Sequence, residues 1–303
     1  MIENQRASTA NQVSDDAKSV GAPCEDCAEV NVSARPQYIY SIGKIDVRFP
    51  SLGIEREFQQ RERQILLGKK KGWSNSGERL YEVLSANPHI ARVVCYVHLV
   101  GNIPAYVVAP AGLEVMNSLI SAVRGHTEPD LFSVVIGKRG PMATPMTCAG
   151  VLAPMMACDQ VYTFTIKEFI RGLLERTEHI LSARNLEPGS FEAIAEDVFR
   201  RIASSLENLG AQDGHRALNY LLVQHPGVFI AVAERANTAA LESIETRVTQ
   251  GSMSNRVVTV IFSFVDRAIG VTERLFCRVD VTEEWPFFAD VSHGGAAPLG
   301  SAT

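Results

Sequence analysis

The sequence predicts an α+β protein with a mixed or antiparallel sheet, a central block of helices and a disordered N-terminal tail. Strand-like patterns are frequent in the first half of the chain, and apolar residues at helical spacing dominate from about residue 166 to residue 236. Strand-like patterns return after residue 241. Strands, then a run of helices, then further strands favour α+β over a doubly wound sheet, in which strands and helices alternate.

Short apolar runs predict strands in the first half, and apolar residues at helical spacing predict helices between them. The predicted strands are 38–42, 45–49, 92–100, 103–109, 134–136 and 160–164. The predicted helices are 52–67, 76–85 and 111–123. Gly101 and Asn102 are a favourable turn pair, so the strands on either side of them should form a hairpin.

The second half is predicted to hold a run of helices followed by strands. The helices are 166–181, 191–209, 213–224 and 227–236, and the strands are 241–248, 256–264 and 274–282. Asp213 is the predicted N-cap of the third of these helices, because Asp accepts hydrogen bonds from free main-chain amides there. The last two strands should pair with each other.

We predict one domain over residues 36–291, in which the first and last strands share a sheet. Residues 1–35 contain few large apolar side chains, so they should form a mostly disordered tail that carries a Cys-x-x-Cys sequence. Residues 292–303 are rich in Gly, Ala and Ser and should form a second disordered tail. A domain boundary near residues 164–167 is the alternative.

Charge and hydropathy exclude several classes of protein. The 303 residues carry a formal net charge of −5 and give a pI near 5.9, which argues against a general nucleic-acid binder, because such proteins have a basic surplus. No segment has the ~18 consecutive apolar residues of a membrane helix, and the N-terminus lacks the apolar core of a secretory signal. We therefore expect a cytoplasmic protein whose cysteines are thiols or metal ligands.

The stretch from Val134 to Phe164 combines glycines and prolines with apolar side chains such as Met142, Met146 and Leu152. Gly and Pro at this density prevent a long regular element. We therefore expect a loop that is held in the interior between two short strands. A metal ion bound by Cys148 would hold the loop in this position.

Cys24 and Cys27 supply two thiolates at the spacing used by tetrahedral Zn²⁺, and closed structural zinc sites take four such ligands. Cys148 is the best third ligand, because a Gly- and Pro-rich loop can turn its thiolate towards a metal. The residues alone leave the fourth ligand open among Cys95, Cys158, Cys277 and His98. A redox-active Cys24–Cys27 pair and cysteines without a role are the alternatives, since buried free cysteines are common.

A second candidate site lies at the start of the helix predicted over 213–224. His215, Arg216 and Asn219 are polar residues within its first turns and could bind an anion or a peptide carbonyl. The favoured alternative is capping by Asp213 with His215 turned inward onto the main chain. Further along, the adjacent pair Glu283–Glu284 could do acid–base work, but carboxylates at a strand end are usually solvated.

Four stretches of the chain, residues 38–60, 134–154, 213–226 and 261–288, carry a resemblance to a known family. In the same order as in that family, they resemble the C-terminal domain of the cyanobactin maturation protein PatG, a domain that has a relative in PatA. The domain accompanies pathways that modify ribosomally made peptides, and free-standing members carry a Cys-x-x-Cys tail. The resemblance implies a family cysteine at the positions of Cys95 and Cys148 but apolar residues at those of Cys158 and Cys277, which makes Cys95 the expected fourth ligand.

The resemblance implies a role in peptide maturation. We expect an accessory protein that binds a precursor peptide or a peptide-modifying enzyme, for instance at an exposed strand edge. A structural Zn²⁺ held by Cys24, Cys27, Cys95 and Cys148 would make metal binding part of folding. The serine motif of the subtilisin-like macrocyclase is missing, so neither protease nor macrocyclase activity is expected.

Two other functions stay open at this point. A metal- or His215-dependent enzyme acting on the modified peptide would need an open metal position, and hence three protein ligands rather than four. An oligomeric scaffold would need neither metal nor peptide. A homodimer is likewise left open.

Overall fold

A computed structural model of the chain describes residues 37–250, 255–289 and 299–302. The strands are β1 (Tyr38–Arg48), β2 (Cys95–Val100), β3 (Ile103–Pro110), β4 (Leu131–Met142), β5 (Pro154–Thr165), β6 (Ala239–Gln250), β7 (Arg256–Asp266), β8 (Thr272–Asp280), β9 (Phe287–Phe288) and β10 (Gly300–Ala302). The helices are α1 (Leu52–Leu67), α2 (Ser76–Ala86), α3 (Pro88–Ala91), α4 (Leu113–Val123), α5 (Ile166–Ala183), α6 (Pro188–Ala203), α7 (Asp213–Gln224) and α8 (Pro226–Arg235). The predicted α+β class, with mixed and antiparallel sheets and a central helical block, is confirmed.

Strands β1 to β5 close into a barrel in the order β1-β2-β3-β5-β4. The two short strands predicted at the start of the chain are one continuous strand, β1, which pairs antiparallel with both β2 and β4. Gly43 in the middle of β1 allows the main chain of β2 to approach closely, since a Cβ on it would lie 2.1 Å from the main-chain oxygen of Leu99. The predicted β2–β3 hairpin turns at Gly101 and Asn102, whose φ angles of 55° and 69° suit a tight hairpin turn.

The last strands form a separate antiparallel sheet in the order β10-β8-β7-β6, with β9 also paired to β8. The prediction that the first and last strands share one sheet is therefore wrong. The reason is the closure of the barrel: β1 has β2 on one side and β4 on the other, so it offers no free edge to a later strand.

The predicted tails fall largely outside the described residues. This holds for all of 1–35, including the Cys-x-x-Cys sequence, and for 292–298 and residue 303. Within the tail predicted over 292–303, however, β10 pairs with Arg274–Phe276 of β8. This short pairing differs from the predicted disorder.

The helical block packs against both sheets. On one side, α5, α6 and α8 bury apolar residues against the outward-facing side chains of the barrel, such as Tyr40, Ile42 and Val134. On the other side, α7 and α8 pack on β6, β7 and β8. Helices α2 and α4 contribute to a further core that includes the interior of the barrel. No helix in the ranges that the structure describes is long and apolar enough to cross a membrane.

Local sequence signals account for most helix ends. Thr165 caps α5 through a reciprocal capping box with Glu168, and Pro188 and Pro226 occupy the first positions of α6 and α8. The predicted N-cap of α7 is displaced by one residue: Gln212 is the N-cap and Asp213 begins the helix. The Asp213 carboxylate instead forms an ion pair with Arg256 at 3.0 Å, which draws it away from the capping position.

Candidate functional site

The connection between β4 and β5 is shorter and more exposed than the sequence predicts. The two strands extend to Met142 and from Pro154, so the loop spans only 143–153. The pairing of β4 with β5 is irregular between Arg139 and Met142, at Gly140 and Pro141. The sequence signals of Gly and Pro thus mark a bulge within the strand, which a strand can accommodate.

Two large apolar side chains of the loop, Met146 and Leu152, point outward and are 87% and 70% exposed, and Met142 at the end of β4 is 55% exposed. The expectation of an interior loop is therefore wrong for these residues, whereas Val151 is half-buried. Cys148 is completely buried, as are the small residues Ala143 and Ala153 near the loop ends. The loop is therefore attached to the barrel through small side chains and one cysteine.

Cys95 on β2 and Cys148 in the loop lie together in one buried cluster with Val97 and Val107. The Cys95 thiol donates to the carbonyl oxygen of Thr147, the residue before Cys148, at 3.2 Å. Burial raises the pKa of both thiols, that of Cys148 to about 12. The metal-free thiols are thus protonated at neutral pH, and a bound cation would have to displace their protons.

The structure brings together two of the four predicted zinc ligands. Cys24 and Cys27 lie outside the described residues. Across the described ranges no group of three or more His, Cys, Asp or Glu side chains is arranged to hold a metal ion.

The other cysteines and His98, considered above as fourth ligands, belong to different clusters. Cys158 lies in the core that includes the barrel interior, and Cys277 packs against the core of the second sheet. His98 is fully buried with its Nε2 3.0 Å from the Ser41 hydroxyl, and burial lowers its pKa to about 3.

Arg216, one of the three polar residues predicted to bind a ligand, is completely buried. Its guanidinium donates to the carbonyl oxygens of Val281 at 2.7 Å and Glu284 at 3.1 Å, and also to that of Glu283. Arg216 thus binds carbonyl groups, but these belong to the chain itself. The hydrogen bonds hold α7 against the segment that follows β8. Arg216 offers no surface to an external ligand.

Asn219 is buried as well and joins two further segments. Its amide nitrogen donates to the carbonyl oxygen of Tyr40 at 2.9 Å, and its side-chain oxygen accepts from Asn208 at 2.6 Å. His215 is only half-buried, and burial lowers its pKa, opposed by the charge of Glu207. The three side chains therefore do not form one open site.

The segment after β8 contains a charged group that the sequence does not predict. Glu284 is not solvated: its side chain is 14% exposed and lies 3.2 Å from the ammonium group of Lys138, which also approaches Asp159 at 3.5 Å. Burial and the neighbouring Asp159 raise the pKa of Glu284, while Lys138 opposes this shift. The sequence gives no signal for this group, because its members come from β4, β5 and the segment after β8.

A shallow apolar groove of about 350 Å³ runs beside β6, the edge strand of the second sheet. Its walls are formed by Ala193, Ile194, Asp197, Val198, Arg201, Ile202, Val232, Ala236, Ala239, Ala240, Leu241, Ile244 and Arg267, from α6, α8, β6 and the β7–β8 connection. The outer edge of β6 pairs with no strand in the part of the chain described here.

Comparisons with known proteins agree with the resemblance found in the sequence. A family model described as "PatG Domain" matches residues 38–252. Among solved structures, one described as "PatG Domain of Unknown Function" is 18% identical to this chain, with a TM-score of 0.62, and the match covers 85% of this chain and 98% of that one. At this identity the structural likeness shows the fold alone. No curated protein matches the chain. Because the family model spans well over half of its residues, the chain belongs to the PatG domain family.

Proposed function

We propose that the chain is a metal-stabilised accessory protein of ribosomal peptide maturation, and that it binds a precursor peptide on the loop 143–153. The observation that carries this proposal is the division of the loop between a completely buried Cys148 and the outward-facing Met146 and Leu152, which are 87% and 70% exposed. An apolar loop that is already attached at its base loses little freedom on binding. Methionine also adapts to differently shaped partners.

The metal in this proposal is a structural Zn²⁺ bound by Cys24, Cys27, Cys95 and Cys148. The shared burial of Cys95 and Cys148, and the hydrogen bond from Cys95 to the adjacent Thr147, support it, because a zinc ion needs its thiolates close together. Cys27 precedes Gln37 by ten residues, a length that spans at most ~35 Å. The carbonyl oxygen of Gln37 accepts a hydrogen bond of 2.8 Å from Arg139, shortly before the loop begins. Gln37, which follows the N-terminal segment, is thus paired with the strand that leads into the loop.

Zinc at this position would link folding to binding. The ion would fix Cys148 at the base of the loop, and so fix the direction in which Met146 and Leu152 point. Removing the metal should then weaken peptide binding, although the peptide itself would not contact the metal. This role is structural, and all four zinc positions would be taken by protein.

The peptide site is tested with a fluorescein-labelled linear precursor peptide of a cyanobactin pathway, titrated by fluorescence anisotropy. The variant Met146→Ser/Leu152→Ser removes two outward-facing apolar side chains of the loop. Loss of buried apolar contacts should raise Kd at least tenfold, since about 1.4 kcal/mol corresponds to a factor of ten.

The matched control is Leu67→Ser, because Leu67 on α1 is 89% exposed and lies outside the loop. It should bind the peptide within about twofold of the unchanged protein, as expected for a surface change away from the site. The proposal fails if the unchanged protein shows no saturable binding, or if the control loses as much affinity as the loop variant.

A further inference from the structure

Strand β6 (Ala239–Gln250) carries a long unpaired edge within the described part of the chain. It pairs with β7 along its whole length, and its pairing is irregular only between Leu241 and Ser243. The strand contains no proline and no lysine, two residues that commonly protect an edge strand from pairing. From Ser243 onwards the edge is therefore a regular row of main-chain donors and acceptors.

We propose that this edge is the interface of a two-fold homodimer, in which β6 pairs antiparallel with β6 of a second copy. A two-fold axis perpendicular to the sheet keeps the helix-covered faces of both copies on the same side. Residues that lie directly opposite each other in the two β6 strands must then have their side chains on the same face of the sheet. The axis must therefore pass at the position of one residue, which lies opposite its own copy, and not between two residues.

The charges of β6 select one position for this axis. Within one chain, Glu245 and Arg247 already form an ion pair of 3.0 Å. With the axis at Thr246, each of them also lies opposite a residue of opposite charge, so that Glu245 faces Arg247 of the partner subunit and the four charges alternate. An axis at Glu245 would place two carboxylates opposite each other, and an axis at Arg247 would place two guanidinium groups opposite each other. Opposite charges across a strand pair stabilise it and like charges destabilise it. Thr246 is thus the favoured centre.

The apolar residues of the strand fit the same register. With the axis at Thr246, Ile244 lies opposite Val248 of the partner subunit. Ile244 packs on the side of the helices and lines the groove beside β6, while Val248 is 56% exposed in the single chain. The dimer would bring the partner's Val248 next to Ile244 at this groove, and so cover an exposed apolar side chain.

The charge pairs allow a reciprocal test by sedimentation equilibrium of the full-length protein. Glu245→Arg and Arg247→Glu each place like charges opposite each other at two symmetric positions, so each should weaken dimerisation on the order of tenfold, as two surface pairs are lost and reversed. The double variant Glu245→Arg/Arg247→Glu restores both pairs and should dimerise like the unchanged protein. Arg56→Glu, on the exposed surface of α1, is the control for net charge and should have no effect.

Recovery in the double variant keeps the test meaningful even if one single variant folds poorly, and circular dichroism of each variant checks folding. The proposal is overturned if the unchanged protein is monomeric at all concentrations. It is also overturned if the single variants dimerise normally, or if the double variant is no better than the singles. If the protein is monomeric and its β6 amides are protected from hydrogen exchange only when precursor peptide is added, the edge binds peptide rather than a second copy.

Discussion

Arg216 shows how a residue with the chemistry of a binding site can serve the fold instead. Its side chain is completely buried, yet its guanidinium donates to three main-chain carbonyl oxygens after β8, those of Val281, Glu283 and Glu284. Burial lowers the pKa of the guanidinium to about 10, partly offset by Asp213, so the group stays charged at neutral pH. A charged group buried in this way is retained because hydrogen bonds replace its hydration.

Replacing this group should be among the most destabilising changes outside the apolar core. Arg216→Ala leaves the carbonyl oxygens of Val281 and Glu284 without a donor and opens a cavity, which should cost about 3 kcal/mol of unfolding free energy. The control Arg63→Ala, at an exposed position on α1, should change stability by less than about 0.5 kcal/mol. Urea denaturation measures both, and equal effects would contradict the assigned role.

Glu284 gives a prediction about pH. Because its pKa is raised in the folded state, the folded protein holds this proton more tightly than the unfolded chain does. The resulting stability is fully present below the pKa of the unfolded chain and is lost as pH rises through the folded pKa. Glu284→Gln, which cannot ionise, should therefore be more stable than the unchanged protein at pH 7, and the difference should disappear near pH 4.

Thermal unfolding across this pH range measures the effect. Glu283→Gln is the matched control, because Glu283 is exposed and its replacement should not alter the pH profile in this way. A Glu284→Gln protein that is less stable at pH 7 would mean that the contact with Lys138 outweighs burial.

At the residue scale, the sequence could identify Cys148 but could not place its partner. Cys95 lies on a strand 53 positions away, and an isolated mid-strand cysteine looks like a core residue. The resemblance to the family pointed to Cys95, and the structure places Cys95 and Cys148 in one buried cluster. Lys138, Asp159 and Glu284 had no such signal, because each is ordinary in its local sequence and only the tertiary fold joins them.

At the scale of elements, most helices could be predicted because their apolar spacing and their caps agree. The capping box of α5 is an example: Thr165 accepts from the Glu168 amide at 3.2 Å, and the Glu168 carboxylate accepts from the Thr165 amide at 2.8 Å. The β4–β5 connection was harder, because Gly140 and Pro141 signal a loop but are absorbed into an irregular strand pairing. Local composition cannot distinguish a bulge from a strand end.

The capping box can be tested on its own. Thr165→Ala removes the side chain that accepts from the Glu168 amide and should cost about 1 kcal/mol of unfolding free energy. Thr165→Ser keeps the hydroxyl group and should lose much less. Urea denaturation distinguishes the two, and equal losses would show that the methyl group of Thr165, rather than its hydroxyl, matters.

At the scale of the whole molecule, the fold class followed from the order of elements, whereas the division into a barrel and a second sheet did not. Strand order depends on contacts between distant segments, such as the parallel pairing of β3 with β5 and the two-sided pairing of β1. Periodicity records which residues are buried but not which strand lies beside which. For the same reason, the sequence alone cannot show whether the four proposed zinc ligands lie close together, since two of them come from the N-terminal segment.

The central claim is that Cys24, Cys27, Cys95 and Cys148 hold one structural zinc ion. The most direct measurement is the zinc content of untagged protein purified without chelator, combined with thiol titration before and after denaturation. We predict about one zinc per chain, with Cys24 and Cys27 as unreactive as the buried Cys95, Cys148 and Cys158 until the protein is denatured and the metal chelated. Zinc with either Cys24 or Cys27 still reactive would favour an open, catalytic position instead. Protein without zinc, or with metal that survives replacement of both Cys95 and Cys148 by Ser, would contradict the account.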